Sequence, residues 1–318
     1  MPGVLRRLKD QAIDIVHVQT PNPTMLLALA MTRLGIPLVV THQSDIIKQK
    51  VLKYAMRPFE HIVYHRAAKI LCSSPCYLGG SAFLQNYKDK TESLPLAIDL
   101  SPYLNPSAKA EKVAIELRQK HEGPLWLAVG RLVYYKGLAT AIRALAHVPG
   151  KLIVIGSGPL KSELEALALQ IGVADRVVWW GYATEDELVG AYHAATAFWF
   201  PSNARSEGFG LVQVEAMASG CPVINTAIPH SGVAWVSRDG ESGLTVPIND
   251  SGAFAAAARR FVDDPGLRRR LSVGARQLAT QEFDFMTMGR RSVEIYNRVL
   301  GTDSTAPASQ KAQQATAG

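Results

Sequence analysis

The feature that most restricts this chain is an alternation. Short apolar runs, each the length of one buried strand, are separated by stretches of helical periodicity along most of the sequence. Such runs at 13–18, 38–41, 69–73 and 94–98 are divided by helical stretches at 23–34 and 52–67. The stretch 102–112 is rich in proline, small and charged residues and marks a linker, placed at 106–120. Beyond it the pattern restarts. Strands are expected at 125–130, 151–156, 177–181, 197–201, 222–226 and 243–246, with helices at 137–147, 160–172, 185–194, 211–219 and 251–263. Strands that recur with a helix between them pair in parallel, because a parallel return needs a long crossover. Two doubly wound α/β domains follow, over 1–105 and 121–284. A final helix is expected at 285–301, and the non-periodic tail 302–318 is expected to be disordered.

Composition narrows the partners. The 318 residues are 47% hydrophobic and 19% charged, which excludes a disordered polymer and suits two folded cores. Three cysteines exclude a disulfide scaffold and fit a reducing compartment. The longest apolar stretch, 24–30 with 36–40, is broken by Arg33 and is too short to span a bilayer. Arg6, Arg7 and Lys9 follow Met1 with no apolar segment behind them, so no secretory leader is read and a cytoplasmic setting is expected. The net charge of +7 is uneven: residues 1–120 hold 16 Lys/Arg against 9 Asp/Glu, and the remainder balances at 18 against 18. A basic first third points to an anionic partner, such as phospholipid headgroups at the inner membrane face or a phosphorylated ligand. Solvated helix faces are the plain alternative. No nucleic-acid partner is expected.

Three strand-end segments carry the chemistry. The run 125–129 ends in Gly130-Arg131, and Lys136-Gly137 opens the next helix. Open α/β sheets bind ligands at the carboxyl ends of their strands, so Arg131 and Lys136 would stand over one crevice as two cations suited to a diphosphate. Pairing with surface carboxylates is the alternative. Gly156-Ser157-Gly158-Pro159 follows the next strand but is no dinucleotide fingerprint, since Lys161 takes the third glycine position. Close ligand approach and a tight structural turn are both open for these glycines. The third segment runs through Pro201-Ser202 to Glu207-Gly208-Phe209-Gly210-Leu211 and on to Glu215. A helix whose first turn holds those glycines offers free backbone N–H groups, an anion site that a phosphate or sugar can approach closely. Glu207 and Glu215 would face the crevice at different depths, where a carboxylate suits vicinal hydroxyls. A cap at Glu207 and a salt bridge at Glu215 are the structural alternative. His61, His65, Cys72 and Cys76 make a weak zinc set with no glutamate between the histidines, and no Ser-His-Asp order is present.

Together and in this order, these segments resemble the GT-B retaining glycosyltransferases of family 4, over about residues 10–300. The resemblance implies two Rossmann-like domains facing across a cleft, with the last helix crossing back to the first. It also implies transfer of a hexose-type sugar from a nucleotide diphosphate donor to a glycan, lipid-linked or other acceptor, with no cofactor or metal. On that basis Arg131, Lys136 and the Gly208, Phe209, Gly210 and Leu211 backbone bind the donor diphosphate and sugar. Glu207 contacts the transferred sugar and Glu215 the ribose. His42 falls at a strand end where the family has a histidine facing the donor sugar, so it joins Glu207 as a catalytic candidate. The lysines of 43–50 could meet a phosphorylated or lipid-linked acceptor. The family's opening strand and Gly-Gly loop have no counterpart after Met1, so the first domain is expected to be incomplete. An inactive or fragmentary binding partner and a nucleotide-sugar epimerase are the competing functions.

Overall fold

A computed structural model describes residues 12–32, 35–43 and 50–302. The tail from 303, the basic residues Arg6, Arg7 and Lys9, and the stretch 44–49 lie outside the described residues. The chain divides into two units: one comprises the residues up to Cys72, Phe83–Leu94 and the residues from Gly289, the other Ser73–Ala82 and Pro95–Met288.

The first unit holds a parallel four-stranded sheet in the order β1 (Val16–Thr20), β2 (Leu38–His42), β3 (Lys69–Cys72) and β4 (Thr91–Ser93). Helices Pro23–Met31 and Lys50–Arg66 provide crossovers, and Leu26, Leu29, Val39, Val40, Val63 and Tyr64 are buried in its core. The last strand was expected at 94–98 and lies earlier. Leu94 N–H still donates to the Cys72 carbonyl at 2.9 Å, but Pro95 has no N–H with which to continue the ladder. The final helix, Phe285–Leu300, contributes its residues from Gly289 onward to this unit. There the Tyr296 hydroxyl lies 2.7 Å from His17 Nδ1, and Arg298 pairs with Glu92 at 2.8 Å, which also holds Lys69 at 2.9 Å.

The second unit is built on six parallel strands, β5 (Leu125–Val129), β6 (Lys151–Ile155), β7 (Val177–Gly181), β8 (Ala197–Trp199), β9 (Val223–Thr226) and β10 (Gly243–Val246). Their spatial order is β10-β9-β8-β5-β6-β7, so the chain winds outward from β5 in one direction and then from β8 in the other. The reversal between β5 and β8 is the topological switch point where such sheets leave a crevice. Alternate residues of β5 feed opposite faces: Trp126 joins Ile142, Leu145, Phe254 and Phe261, while Leu127 joins Tyr192, Phe198, Val214 and Met217. Burial on both faces is why these strands read as continuous apolar runs.

No linker occupies 106–120. Residues Ala108–Lys120 form a helix capped by the Ser107 hydroxyl, which accepts from Ala110 N–H at 3.1 Å. Ala110, Ala114 and Leu117, spaced along one face, bury against helix Glu185–Ala194 of the same unit. An 18-residue helix, Pro265–Glu282, was not anticipated; it starts at an Asp264 cap and buries Leu267, Leu271, Ala275 and Leu278.

Candidate active site

The carboxyl ends of β5 and β6 are locked together by backbone contacts. Gly130 N–H donates to Ile155 O and Leu132 N–H to Ser157 O, both at 2.9 Å. A Cβ on Gly156 would sit 2.0 Å from Gly130 O, and one on Gly158 would sit 2.5 Å from Leu132 O. The glycines of 156–159 therefore serve close chain packing, as the tight-turn reading of the sequence expects. Their effect is to fix the turn that presents Arg131, which is exposed.

Lys136 ends a 3-10 turn, Tyr134–Lys136, and Gly137 follows with φ +62°, its Cα facing Pro201 O too closely for any Cβ. This turn brings the Lys136 ammonium 2.6 Å from Glu207 Oε2 and 4.9 Å from the centre of the Phe200 ring. Arg131 and Lys136 line one small pocket at the ends of β5 and β8, with Phe200 and Pro201. The Ser202 hydroxyl donates to the same Glu207 oxygen at 3.3 Å, and Glu207 is buried. Its loop is held from behind: the Ser231 hydroxyl donates to Glu207 O at 2.5 Å, and Gly232 N–H donates to Gly208 O at 2.9 Å.

The following helix spans Leu211–Ala218, so Gly208–Gly210 precede it rather than forming its first turn. Gly210 is the N-cap, at φ +79°, and a Cβ there would meet Phe200 Cζ at 2.6 Å. Among the described residues no side chain caps this end. Gln213 N–H donates to Gly210 O at 2.9 Å, so the Leu211 and Val212 N–H groups are left for an outside acceptor. Phe209 turns its ring into the core, edge-on to Phe283 at 5.6 Å, so only its backbone faces the loop.

Glu215, one turn into this helix, accepts from the Tyr192 hydroxyl at 2.9 Å. Burial pushes its carboxyl above the ordinary carboxylate range, opposed by the Tyr192 hydrogen bond and by Lys136. Burial and the neighbouring carboxylate push the Tyr192 phenol well up, so it remains a donor. Tyr103 packs edge-on to Tyr192 at 6.1 Å, and its phenol is raised by burial and by Glu215. One Glu215 oxygen is thereby committed and the other remains in a poorly hydrated site, suited to accepting from hydroxyls.

The structure thus gathers Arg131, Lys136, Glu207, the 208–211 backbone and Glu215 at the carboxyl edge of one sheet. His42 belongs to the other unit, at the end of β2. It is buried, with Nδ1 2.6 Å from the Tyr64 hydroxyl, which lies 2.6 Å from Thr20 Oγ1. Among the described residues no three His, Cys, Asp or Glu side chains converge as metal ligands, and His61 engages the Tyr87 hydroxyl at 2.7 Å. Two site residues escaped the sequence. Ser202 follows a strand end, a position that could have flagged it; Tyr192 carries no such mark.

Comparison with known proteins identifies the family of the chain. The family model for glycosyl transferases group 1 matches residues 110–278, and that for the glycosyl transferase 4-like domain matches residues 1–96. The chain belongs to the group 1 glycosyl transferases. This glycosyltransferase is 33% identical over 261 residues to D-rhamnosyltransferase WbpZ of Pseudomonas aeruginosa, covering 82% of this chain and 67% of that one. It is 28% identical over 299 residues to O-antigen chain mannosyltransferase C of Escherichia coli, covering 94% and 79%. Among solved structures, Anabaena Alr3699/HepE in complex with UDP aligns at TM-score 0.82 and 20% identity, over 93% of this chain and 81% of that one. A glycosyltransferase from Rickettsia africae aligns at TM-score 0.77 and 19% identity, over 95% and 81%. At such identities the structures speak for the fold, which is GT-B. The resemblance to the GT-B group 1 glycosyltransferases and the α/β class are borne out, and the protein is a glycosyltransferase enzyme.

Proposed function

We propose that this glycosyltransferase moves a hexose-type sugar from a nucleoside diphosphate donor to a glycan or lipid-linked acceptor, with retained anomeric configuration. The observation that carries the reading is the Lys136–Glu207 pair, 2.6 Å apart, beside the uncapped N-terminus of helix Leu211–Ala218. An ammonium has three donors, so one can serve Glu207 while others meet a phosphate. As the bond from the sugar's anomeric carbon to the β-phosphate oxygen breaks, its electron pair passes to the diphosphate. Arg131, Lys136 and the helix N–H groups stabilise that charge without reorganising. Glu207 faces the opposite charge, which develops on the sugar ring. The acceptor hydroxyl attacks from the face the diphosphate leaves and gives its proton to a departing phosphate oxygen. Glu215 holds the ribose.

Relatives named for O-antigen chain mannose transfer and for lipopolysaccharide core biosynthesis support an envelope glycan as acceptor. The basic first third supports a place at the inner membrane face, although no described helix is long and apolar enough to cross a membrane. The test is incubation with UDP- and GDP-linked hexoses and lipid-linked acceptors, following nucleoside diphosphate release and the product's anomeric proton coupling. Release with an α-linked product from an α-linked donor supports the proposal. A β-linked product refutes retention, and a changed donor sugar without transfer would indicate an epimerase.

A further inference from the structure

At the other end of the six-stranded sheet lies a groove of about 740 Å³, bordered by Leu125 at the start of β5 and by Thr196 and Pro222 just before β8 and β9. The length of β5 separates it from Arg131, on the order of 15 Å at the usual strand rise. Arg118, Arg268, Arg269 and Arg276 line this groove with His121 and His193, and among the described residues no carboxylate lines it. Burial lowers the pKa of both imidazoles, and nearby cations add to the effect, so the four guanidinium groups dominate its charge.

Helix ends do not account for that charge. Helices Ala108–Lys120, Glu185–Ala194 and Leu211–Ala218 finish at this edge, and their carbonyls attract cations. Arg118 donates to His193 O, and Arg276 donates to Leu104 O at 2.7 Å. Yet each helix end carries only about half a negative charge, so three offset less than two of the four arginines. Arg268 and Arg269 are exposed in the first two turns of helix Pro265–Glu282, where the macrodipole disfavours cations. Among the described residues neither has an ion-pair partner, and the nearby Asp264 carboxylate is used in capping Leu267 N–H at 2.8 Å.

We propose that this groove is a second anion site, separate from the donor edge, for a small compound carrying two or more phosphate groups. Guanidinium forks match phosphate oxygens bidentately, and Arg118 and Arg268 approach the groove from different helices. The volume falls among small-molecule clefts, roughly 300–1,000 Å³. A ligand spanning the arginines would tie helix Ala108–Lys120 to helix Pro265–Glu282 and raise the melting temperature.

The experiment titrates inorganic pyrophosphate calorimetrically into the full chain at about 150 mM salt. Three proteins are compared: wild type, Arg268→Ala/Arg269→Ala and Arg131→Ala/Lys136→Ala. Groove binding should fall about tenfold or more in Arg268→Ala/Arg269→Ala and persist in Arg131→Ala/Lys136→Ala. Both arginines are exposed, and an unchanged melting temperature of the free variant confirms that it folds. Binding lost only in Arg131→Ala/Lys136→Ala overturns the second site while leaving the donor assignment standing. Sedimentation with phosphatidylglycerol vesicles is the second arm. If those vesicles need Arg268 and Arg269 but pyrophosphate does not bind, the small-ligand proposal is overturned in favour of lipid.

Discussion

Replacing Glu215 by Gln should separate nucleotide binding from stability. The side chain keeps its shape, and its amide oxygen can still accept from the Tyr192 hydroxyl, now 2.9 Å away. What is lost is the charge. A hydrogen bond to a charged acceptor contributes about 1.5–3 kcal/mol, so affinity for the nucleoside diphosphate should fall roughly ten- to a hundredfold. Stability should move the other way. Burial raises the carboxyl's pKa in the folded protein, so the folded state holds that proton more tightly than the unfolded chain. The group's contribution is therefore greatest below the ordinary glutamate range and is lost as pH rises through the folded value. Glu215→Gln removes this loss, so its melting temperature should match or exceed that of wild type at neutral pH, with the difference shrinking in acid. Calorimetric titration with UDP and GDP, beside melts across pH, provides both readouts. Nucleotide binding as tight as wild type would refute the ribose assignment. Destabilisation at neutral pH would refute the account of the buried carboxylate.

Tyr192→Phe should shift the acid limit of nucleotide affinity to higher pH, because the hydrogen bond it removes opposes the burial that raises Glu215; affinity profiles on the acid side of neutrality check this. Gly210→Ala should cost about 2–4 kcal/mol in denaturant unfolding, from a left-handed backbone and a Cβ forced to within 2.6 Å of Phe200 Cζ; a loss below ~1 kcal/mol would contradict the packing. Binding to anionic vesicles should weaken at high salt and exceed binding to neutral ones, as the 16-to-9 charge count of residues 1–120 requires.

Much of this fold was legible because the second sheet is buried on both faces, which forces continuous apolar runs between turn signals. Lys136 and Glu207 were each legible as crevice residues because each follows a strand end, but their pairing across 71 positions came only with the fold. Helix Ala108–Lys120 was hidden for the opposite reason: its buried face is only Ala110, Ala114 and Leu117 among charged residues. Helix Pro265–Glu282 carries its leucines beneath a run of arginines that blurs their spacing. The Tyr192 contact arises from two helices meeting in space, which no local pattern encodes. The strand expected at 94–98 failed at Pro95, where the missing donor should have outweighed the apolar run.

The central claim is that a diphosphate binds between Arg131, Lys136 and the N-terminus of helix Leu211–Ala218. Its most direct test is the affinity of UDP against uridine, and of GDP against guanosine, in wild type and in Lys136→Ala. In wild type the preferred diphosphate should bind much more tightly than its nucleoside. Lys136→Ala should erase most of that difference, by about ten- to a hundredfold, while nucleoside affinity stays unchanged. An undiminished preference for the diphosphate in Lys136→Ala would contradict the account.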